Sequence, residues 1–263
     1  MLRHASKAVL FGIDSGVAHI QLNRPEAGNA LNLEMATELA AAAQACSADP
    51  DVRVVLLSAH GRTFCVGGDL KAIAALGEEI APRLRELVDQ LHTAVSIFRQ
   101  MPAPLVIAVN GIAAGAGFSL ALVGDLVVAA ESAKFTLAYT AAGISPDGGA
   151  TYHLPRLVGM RRAQELIYAN RTLTAREALD WGLVTQVAPD DQLIPAVQAL
   201  GKRLASGPRV AHAAVKALLR ASVGNHLDEH LALECEAICR TAASADGVEG
   251  VKAFTERRAP MFL

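Results

Sequence analysis

The chain has 263 residues, of which 52% are hydrophobic and 19% charged, so it can bury the core of one large domain. Its formal net charge of -2 argues against a nucleic-acid-binding surface. Lysine and arginine are also scattered along the chain rather than clustered. The four cysteines lack CxxC spacing, and no secretory leader is recognisable. We therefore expect a soluble cytoplasmic protein with reduced thiols and no membrane span.

Strand and helix patterns alternate through the first half of the chain. Two runs of alternating apolar residues flank Asp14-Ser15-Gly16, which predicts a hairpin, and Asn32 can cap the helix that follows. We expect strands at 8–13, 17–22, 52–58, 105–109, 126–130 and 134–137, and helices at 32–46 and 82–100.

The second half is mainly helical. Thr174 and Glu177 have the spacing of a capping box, and Gly182 is a suitable helix terminator. From about residue 188 onward the pattern is almost entirely helical. We expect breaks near 207–208, 224 and 247. The sequence therefore predicts an α/β core followed by a helical tail, which we divide into residues 1–200 and 201–263.

Two glycine-rich stretches, 64–69 and 110–117, each follow an apolar β-branched run and precede a helical pattern. Such turns leave backbone N–H groups unpaired and directed into a cleft. Two of them in one domain can converge on a single oxygen atom, which is what polarisation of a carbonyl group requires.

The order and spacing of several short motifs are highly specific when they are taken together. They are Asn23-Arg24-Pro25, Asn29-Ala30-Leu31, the two glycine stretches, Ala133-Lys134-Phe135, Pro146-Asp147-Gly148-Gly149, the run 179–184 and the run 254–258. In this pattern the chain resembles the enoyl-CoA hydratase/isomerase (crotonase) family over essentially its whole length.

The resemblance implies a spiral of strand-strand-helix turns that forms the acyl-CoA-binding core, with C-terminal helices that build a homotrimer or a dimer of trimers. It also implies an acyl-CoA thioester as substrate, so that coenzyme A belongs to the substrate and no cofactor is permanently bound. The amides that bind the thioester carbonyl in the family fall on Gly68 and Ala116 of this sequence.

Family hydratases hold a water molecule between two glutamates, and these positions match Ser119 and Tyr139 here. Neither residue is a carboxylate base at neutral pH. The remaining acid is Asp147, which matches the aspartate of dienoyl-CoA isomerases and of the ring-epoxide isomerase of phenylacetyl-CoA breakdown. The resemblance therefore favours an isomerase in which Asp147 moves a proton, with Tyr139 either as a hydrogen-bond donor or as a pocket wall.

The sequence leaves three further functions open. Asp147 and His92 match the nucleophile and the water-activating histidine of 4-chlorobenzoyl-CoA dehalogenase, so the first is an acyl-CoA hydrolase or dehalogenase. A histidine on the inner side of a long helix is also often structural. The second is enoyl-CoA hydration, and the third is acyl-CoA binding without catalysis.

The family pattern also suggests contacts with coenzyme A. Arg24 and Ala27 would lie at the adenine end, Arg62 and Lys71 near the phosphates, and Arg257 would arrive from an adjacent subunit. We expect no metal site. His226 and His230 have helical spacing, but a leucine stands where a zinc protease would carry its glutamate.

Overall fold

The computed structural model describes residues 7–75 and 77–262. Strands and helices alternate in it, and helices alone follow the last strand. The strands are β1 (Val9–Asp14), β2 (Val17–Leu22), β3 (Val54–Ala59), β4 (Leu105–Val109), β5 (Ile112–Ala114), β6 (Leu126–Ala130), β7 (Lys134–Thr136), β8 (Leu173–Thr174) and β9 (Gln186–Ala188). The helices are α1 (Leu33–Ala48), α2 (Leu70–Ala74), α3 (Ile80–Gln100), α4 (Ala116–Ala121), α5 (Ala150–Val158), α6 (Met160–Tyr168), α7 (Ala175–Asp180), α8 (Leu193–Ala205), α9 (Arg209–Ala221), α10 (Leu227–Ala242) and α11 (Ala245–Thr255).

The core is built on a sheet of six strands in the order β1-β2-β3-β4-β6-β9. The β1–β2 hairpin is antiparallel, as its turn signal predicts, and the other neighbouring pairs are parallel. Every residue of β4 is buried, and α8 packs against this strand.

A smaller sheet, in the order β5-β7-β8, gives the fold its spiral form. After β4 the chain adds β5 to the small sheet and then forms α4, and after β6 it adds β7 and later forms α5. These are the strand-strand-helix turns that the resemblance implies. The carboxyl ends of parallel strands lie at one edge of a sheet, so the loops after β3 and β4 are neighbours.

Local capping signals define the helix boundaries. The Asn32 side chain accepts a hydrogen bond from the Met35 amide at the start of α1. Thr174 and Glu177 form the predicted capping box of α7, and Gly182 terminates that helix with a φ of +76°. The two longer helices of the first half, α1 and α3, pack against each other beside the large sheet.

The predicted division after residue 200 falls within α8, which packs against β3, β4 and β6. The helices that follow are α9, α10 and α11. Lys216 on α9 ties them to the core, because its ammonium group bonds Asp125 at 2.7 Å and also donates to the Phe98 and Ala103 carbonyls.

The helix break predicted near Gly247 is present, although it does not fall at the glycine itself. The break lies at 243–244, and Gly247 is inside α11, where its N–H bonds the capping Ser244 hydroxyl. A Cβ at Gly247 would lie 2.0 Å from the Thr241 carbonyl oxygen. Glycine is therefore used there for close helix packing.

No helix within the described ranges is long and apolar enough to cross a lipid bilayer. The same residues contain no cluster of three or more histidine, cysteine or acidic side chains suited to a metal ion.

Candidate active site

The two glycine-rich stretches lie side by side and are hydrogen-bonded to each other. The Cys65 N–H donates to the Ile112 carbonyl at 3.1 Å, and the Ala114 N–H donates to the Cys65 carbonyl at 2.9 Å. These bonds fix the register of the first stretch against β5 and the turn that follows it. The two stretches are therefore neighbours in space, and convergence of their amides on a single oxygen atom stays a prediction.

Glycine is required where the two stretches touch. Gly67 has a φ of +102° and Gly115 a φ of +51°, a region that side chains disfavour. A Cβ at Gly117 would lie 2.2 Å from the Cys65 carbonyl oxygen. The backbones can therefore approach this closely only because no side chain stands between them.

The two predicted carbonyl-binding amides line one cleft. Ala116 is the first residue of α4, where an N–H has no acceptor within its own helix. No described residue accepts a hydrogen bond from the Gly68 N–H, although its neighbours Gly67 and Asp69 bond Leu31. The space in and immediately outside the cleft amounts to about 570 Å³, part of it open solvent. Its apolar walls are Val66, Leu70, Ile73, Leu84, Leu87, Leu137, Ala142 and Ile144.

A chain of hydrogen bonds joins Ser119, Tyr139 and Asp147 at the side of this cleft. The Tyr139 hydroxyl donates to one oxygen of the Asp147 carboxylate. The Ser119 hydroxyl lies 2.9 Å from the Tyr139 oxygen and donates to it, because the single Tyr139 proton is already used. Burial, and secondarily the nearby Asp147 charge, raise the pKa of Tyr139 above its usual value, so it remains a neutral donor.

The positions matched to the hydratase glutamates are thus adjacent in space and hold two hydroxyl groups. Ser119 on α4 is fully buried, and a Cβ at Gly148 would lie 2.8 Å from its Cβ. Asp147 itself is half-buried and lines the cleft with Tyr139, Gly68 and Ala116. Sequence reasoning located these four residues, but it did not foresee the contact of Ser119 with Tyr139.

His92 is not among the residues that line this cleft. It lies on α3 with its exposed side in a separate pocket beside Arg99, Tyr152, His153 and Arg220. Its Nε2 atom is 3.1 Å from the Gly148 amide nitrogen and accepts a hydrogen bond from it. This geometry gives no support to a hydrolytic reaction in which His92 activates water over the substrate.

The residues predicted to hold coenzyme A differ in their exposure and in whether they already have hydrogen-bond partners within the chain. The Arg24 guanidinium bonds the Asp69 carboxylate at 3.1 Å and the Ala30 carbonyl, so it is already engaged. Ala27 is half-buried at the end of a short 3-10 turn. Arg62, Lys71 and Arg257 are exposed.

A buried asparagine, which the sequence analysis did not assign as a site residue, joins the two loops beside Arg24. Asn29 is fully buried at a φ of +55°; its side chain accepts from the Arg24 N–H and donates to the His60 and Thr63 carbonyls. It therefore joins the turn after β2 to the loop after β3. The motif Asn29-Ala30-Leu31 was the available signal for this role.

A buried thiol lies in the first glycine-rich stretch, three residues before Gly68. Cys65 has no exposed surface, and burial raises its pKa to about 12. It is therefore a packed, protonated thiol rather than a nucleophile.

Comparisons with known proteins agree with this geometry. Residues 12–263 match the model of the enoyl-CoA hydratase/isomerase family. The chain is 38% identical over 255 residues to the 1,2-epoxyphenylacetyl-CoA isomerase of Escherichia coli, covering 97% of both chains. It is 42% identical over 254 residues to a probable enoyl-CoA hydratase of Rhodobacter capsulatus, again covering 97% of both.

The structural neighbours have the same fold. The crystal structure of an enoyl-CoA hydratase from Bacillus anthracis superposes with a TM-score of 0.91 at 34% identity, covering 97% of this chain and 99% of that one. The protein therefore belongs to the enoyl-CoA hydratase/isomerase family and has the crotonase fold.

The contact between the two stretches yields a test. We expect Gly117→Ala to destabilise the protein by about 2 kcal/mol or more, because the new methyl group collides with a backbone carbonyl. Gly224→Ala is the matched control, since nothing lies within 4 Å of the Cβ it would add. Urea unfolding monitored by circular dichroism measures both, and equal stability of the two variants would contradict the prediction.

Proposed function

We propose that the protein is an acyl-CoA isomerase that shifts a double bond or opens a strained ring through a thioester enolate. Gly68 and Ala116 would bind the thioester oxygen, and Asp147 would transfer the proton. The observation that carries this proposal is the acid inventory of the cleft: among the described residues that line it, Asp147 is the single carboxylate.

One carboxylate suits an isomerisation better than a hydration. In an isomerase the proton removed from one carbon is returned to another, so a single group can act first as base and then as acid. Hydration needs a water molecule that is positioned and activated, and the family positions for that task hold the hydroxyls of Ser119 and Tyr139. These hydroxyls donate hydrogen bonds but are poor bases.

The carbonyl-binding amides would stabilise the charge that develops on the thioester oxygen. Backbone N–H groups are rigid donors, and removal of one such donor typically costs about 3 kcal/mol of barrier lowering. The direct contacts between the two glycine stretches hold the donors in place before substrate arrives. That preorganisation makes the α-proton of the acyl group acidic enough for a carboxylate to remove.

Tyr139 would hold Asp147 in the orientation for proton transfer. It occupies one carboxylate oxygen, and no other described residue donates to the carboxylate side chain. The second oxygen is thereby left for the substrate proton. Because Tyr139 stays neutral, it holds the Asp147 side chain by a hydrogen bond without adding a charge to the cleft.

Two relatives have names that support this class of reaction, whereas the Rhodobacter capsulatus relative is named a probable enoyl-CoA hydratase. Besides the Escherichia coli isomerase, the trans-2-decenoyl-[acyl-carrier-protein] isomerase of Streptococcus mutans is 32% identical over 260 residues. We propose enoyl and ring-epoxide acyl-CoA thioesters as the substrate class. The apolar walls of the cleft suit a hydrocarbon or aromatic acyl group.

Coenzyme A would lie along the turn after β2, with backbone groups near Arg24 and Ala27 at the adenine end. Exposed Arg62 and Lys71 would face the phosphates, and Arg257 would reach them from a second subunit. The reaction requires no further cofactor. All four cysteines are free, which suits our prediction of a cytoplasmic location.

The central test replaces Asp147 with Asn. We expect kcat for isomerisation of 3-enoyl-CoA to 2-enoyl-CoA to fall between about 10²- and 10⁴-fold, because the amide cannot accept the proton. Substrate affinity, measured by calorimetry, should change little. Asp191→Asn, at an exposed turn, is the matched control and should keep wild-type kcat.

Isotope labelling separates isomerisation, hydration and hydrolysis in the same assay. Isomerisation takes no oxygen from heavy-oxygen water. Hydration places the label in a 3-hydroxyacyl product. Hydrolysis through an Asp147 ester places the label in the Asp147 carboxylate. Turnover with label uptake would refute the isomerase proposal. Tight thioester binding with no turnover of 3-enoyl, 2-enoyl, aromatic or ring-epoxide acyl-CoA would refute it in favour of a binding protein.

A second variant isolates the tyrosine. We expect Tyr139→Phe to lower kcat about tenfold, because Asp147 loses a charge-assisted hydrogen bond while its carboxylate remains. Tyr168→Phe removes a hydroxyl from a residue that is 75% exposed and should leave kcat unchanged. A loss as large as that of Asp147→Asn would instead mean that Tyr139 itself transfers the proton.

We also propose a homotrimer, alone or paired as a dimer of trimers. The helices α9, α10 and α11 expose large apolar side chains, among them Leu219, Ile238 and Phe254 at 67%, 67% and 86%. We expect sedimentation to give three or six times the chain mass. Ile238→Glu should shift this towards monomer, while Ile13→Glu on the hairpin should not. A monomeric wild-type protein would refute the proposal.

A further inference from the structure

His92 accepts a hydrogen bond from the amide of the residue next to the proposed base. Leu87, on the same helix α3, lines the cleft, whereas His92 lines a separate pocket. Gly148 follows Asp147 in the chain. The helix therefore presents one side chain to the acyl group and another to the loop that carries the acid.

The chemistry of this bond fixes the proton on the histidine. A backbone N–H can only donate, so the Nε2 lone pair must be free to accept from Gly148. The imidazole is then neutral and carries its proton on Nδ1. A second proton on His92 would place two N–H groups face to face and abolish the bond.

The bond fixes one end of a peptide group whose other end is also held. The carbonyl of the Asp147–Gly148 peptide accepts from the Ala150 N–H at 3.1 Å, while its N–H donates to His92. Gly148 and Gly149 have φ values of +58° and +80° in this turn. Such consecutive left-handed residues are free to reorient unless hydrogen bonds restrain them.

We propose that His92 is a positioning residue that keeps the Asp147–Gly148 peptide in the orientation that directs Asp147 into the cleft, and that it does so only as the neutral imidazole. This inference rests on the proposed function, in which Asp147 transfers the proton. It gives His92 no contact with the substrate, and it makes the activity fall when His92 is protonated.

The groups around His92 come from several elements. The same pocket is lined by Arg99 on α3, Tyr152 and His153 on α5, and Arg220 on α9. Asp147 immediately precedes Gly148 in the neighbouring loop. His153 is the other titratable imidazole of this pocket; burial, followed by the Arg99 and Arg156 charges, lowers its pKa. A variant of His153 therefore shows whether a fall in kcat on acidification comes from His92 or from His153.

The test compares His92→Phe and His92→Gln, with His153→Gln as control. Phenylalanine fills the space without an acceptor, so we expect kcat to fall about 10- to 100-fold with KM within about threefold of wild type. Glutamine offers an oxygen at the position of Nε2, so kcat should return to within about threefold of wild type. The glutamine oxygen does not titrate, so the part of the fall in kcat on acidification (the acid limb) that comes from His92 should be lost.

The controls separate this inference from the proposed function. His153→Gln should keep both kcat and the acid limb. Nitrogen-15 NMR of labelled wild-type protein should show the neutral His92 with its proton on Nδ1, and a proton on Nε2 would overturn the inference. Wild-type kcat in His92→Phe, or equal losses in His92→Phe and His92→Gln, would also overturn it.

The failure of each idea is distinguishable. An inactive Asp147→Asn enzyme beside a fully active His92→Phe enzyme would refute the positioning role alone. A fully active Asp147→Asn enzyme would refute the proposed function itself.

Discussion

The close approach of two backbone segments is the constraint on which the rest of the site depends. The stretch from Cys65 to Gly68 runs against the turn from Ala113 to Gly117, and main-chain hydrogen bonds join them. Side chains are excluded from the contact, because a Cβ at Gly117 would overlap a carbonyl oxygen. The two parallel strands β3 and β4 bring the segments to one edge of the sheet. The sheet order, the glycines and the pair of unpaired amides are therefore parts of one arrangement.

On this scaffold, the proposed function depends on the groups that surround Asp147 in the cleft. Two hydroxyls, of Ser119 and Tyr139, stand at the positions that carry carboxylates in family hydratases, and they form a relay that ends on Asp147. A hydroxyl relay polarises and orients the carboxylate but adds no negative charge beside it. Under the proposed function, these two side chains favour isomerisation over hydration while the proposed backbone donors remain.

Turn and capping signals predicted much of the secondary structure, because these interactions form between residues that are close together in the sequence. The hairpin turn, the Asn32 cap and the Thr174 capping box each depend on a few consecutive residues. The identity of the cleft residues came from motif order. The location of His92 could not be predicted, since it depends on how α3 is rotated against the loop at Gly148. Gly247 lies inside α11 rather than at the break for a similar reason: its role is set by packing against the end of α10.

The buried thiol of Cys65 has a consequence for chemical durability. Thiols react with oxidants and alkylating agents as thiolates, and this one is neither ionised at physiological pH nor reachable by solvent. Damage to it would require the two backbone segments to separate first. The hydrogen bonds between the two backbone segments thus shield the Cys65 sulfur atom from reagents in solution.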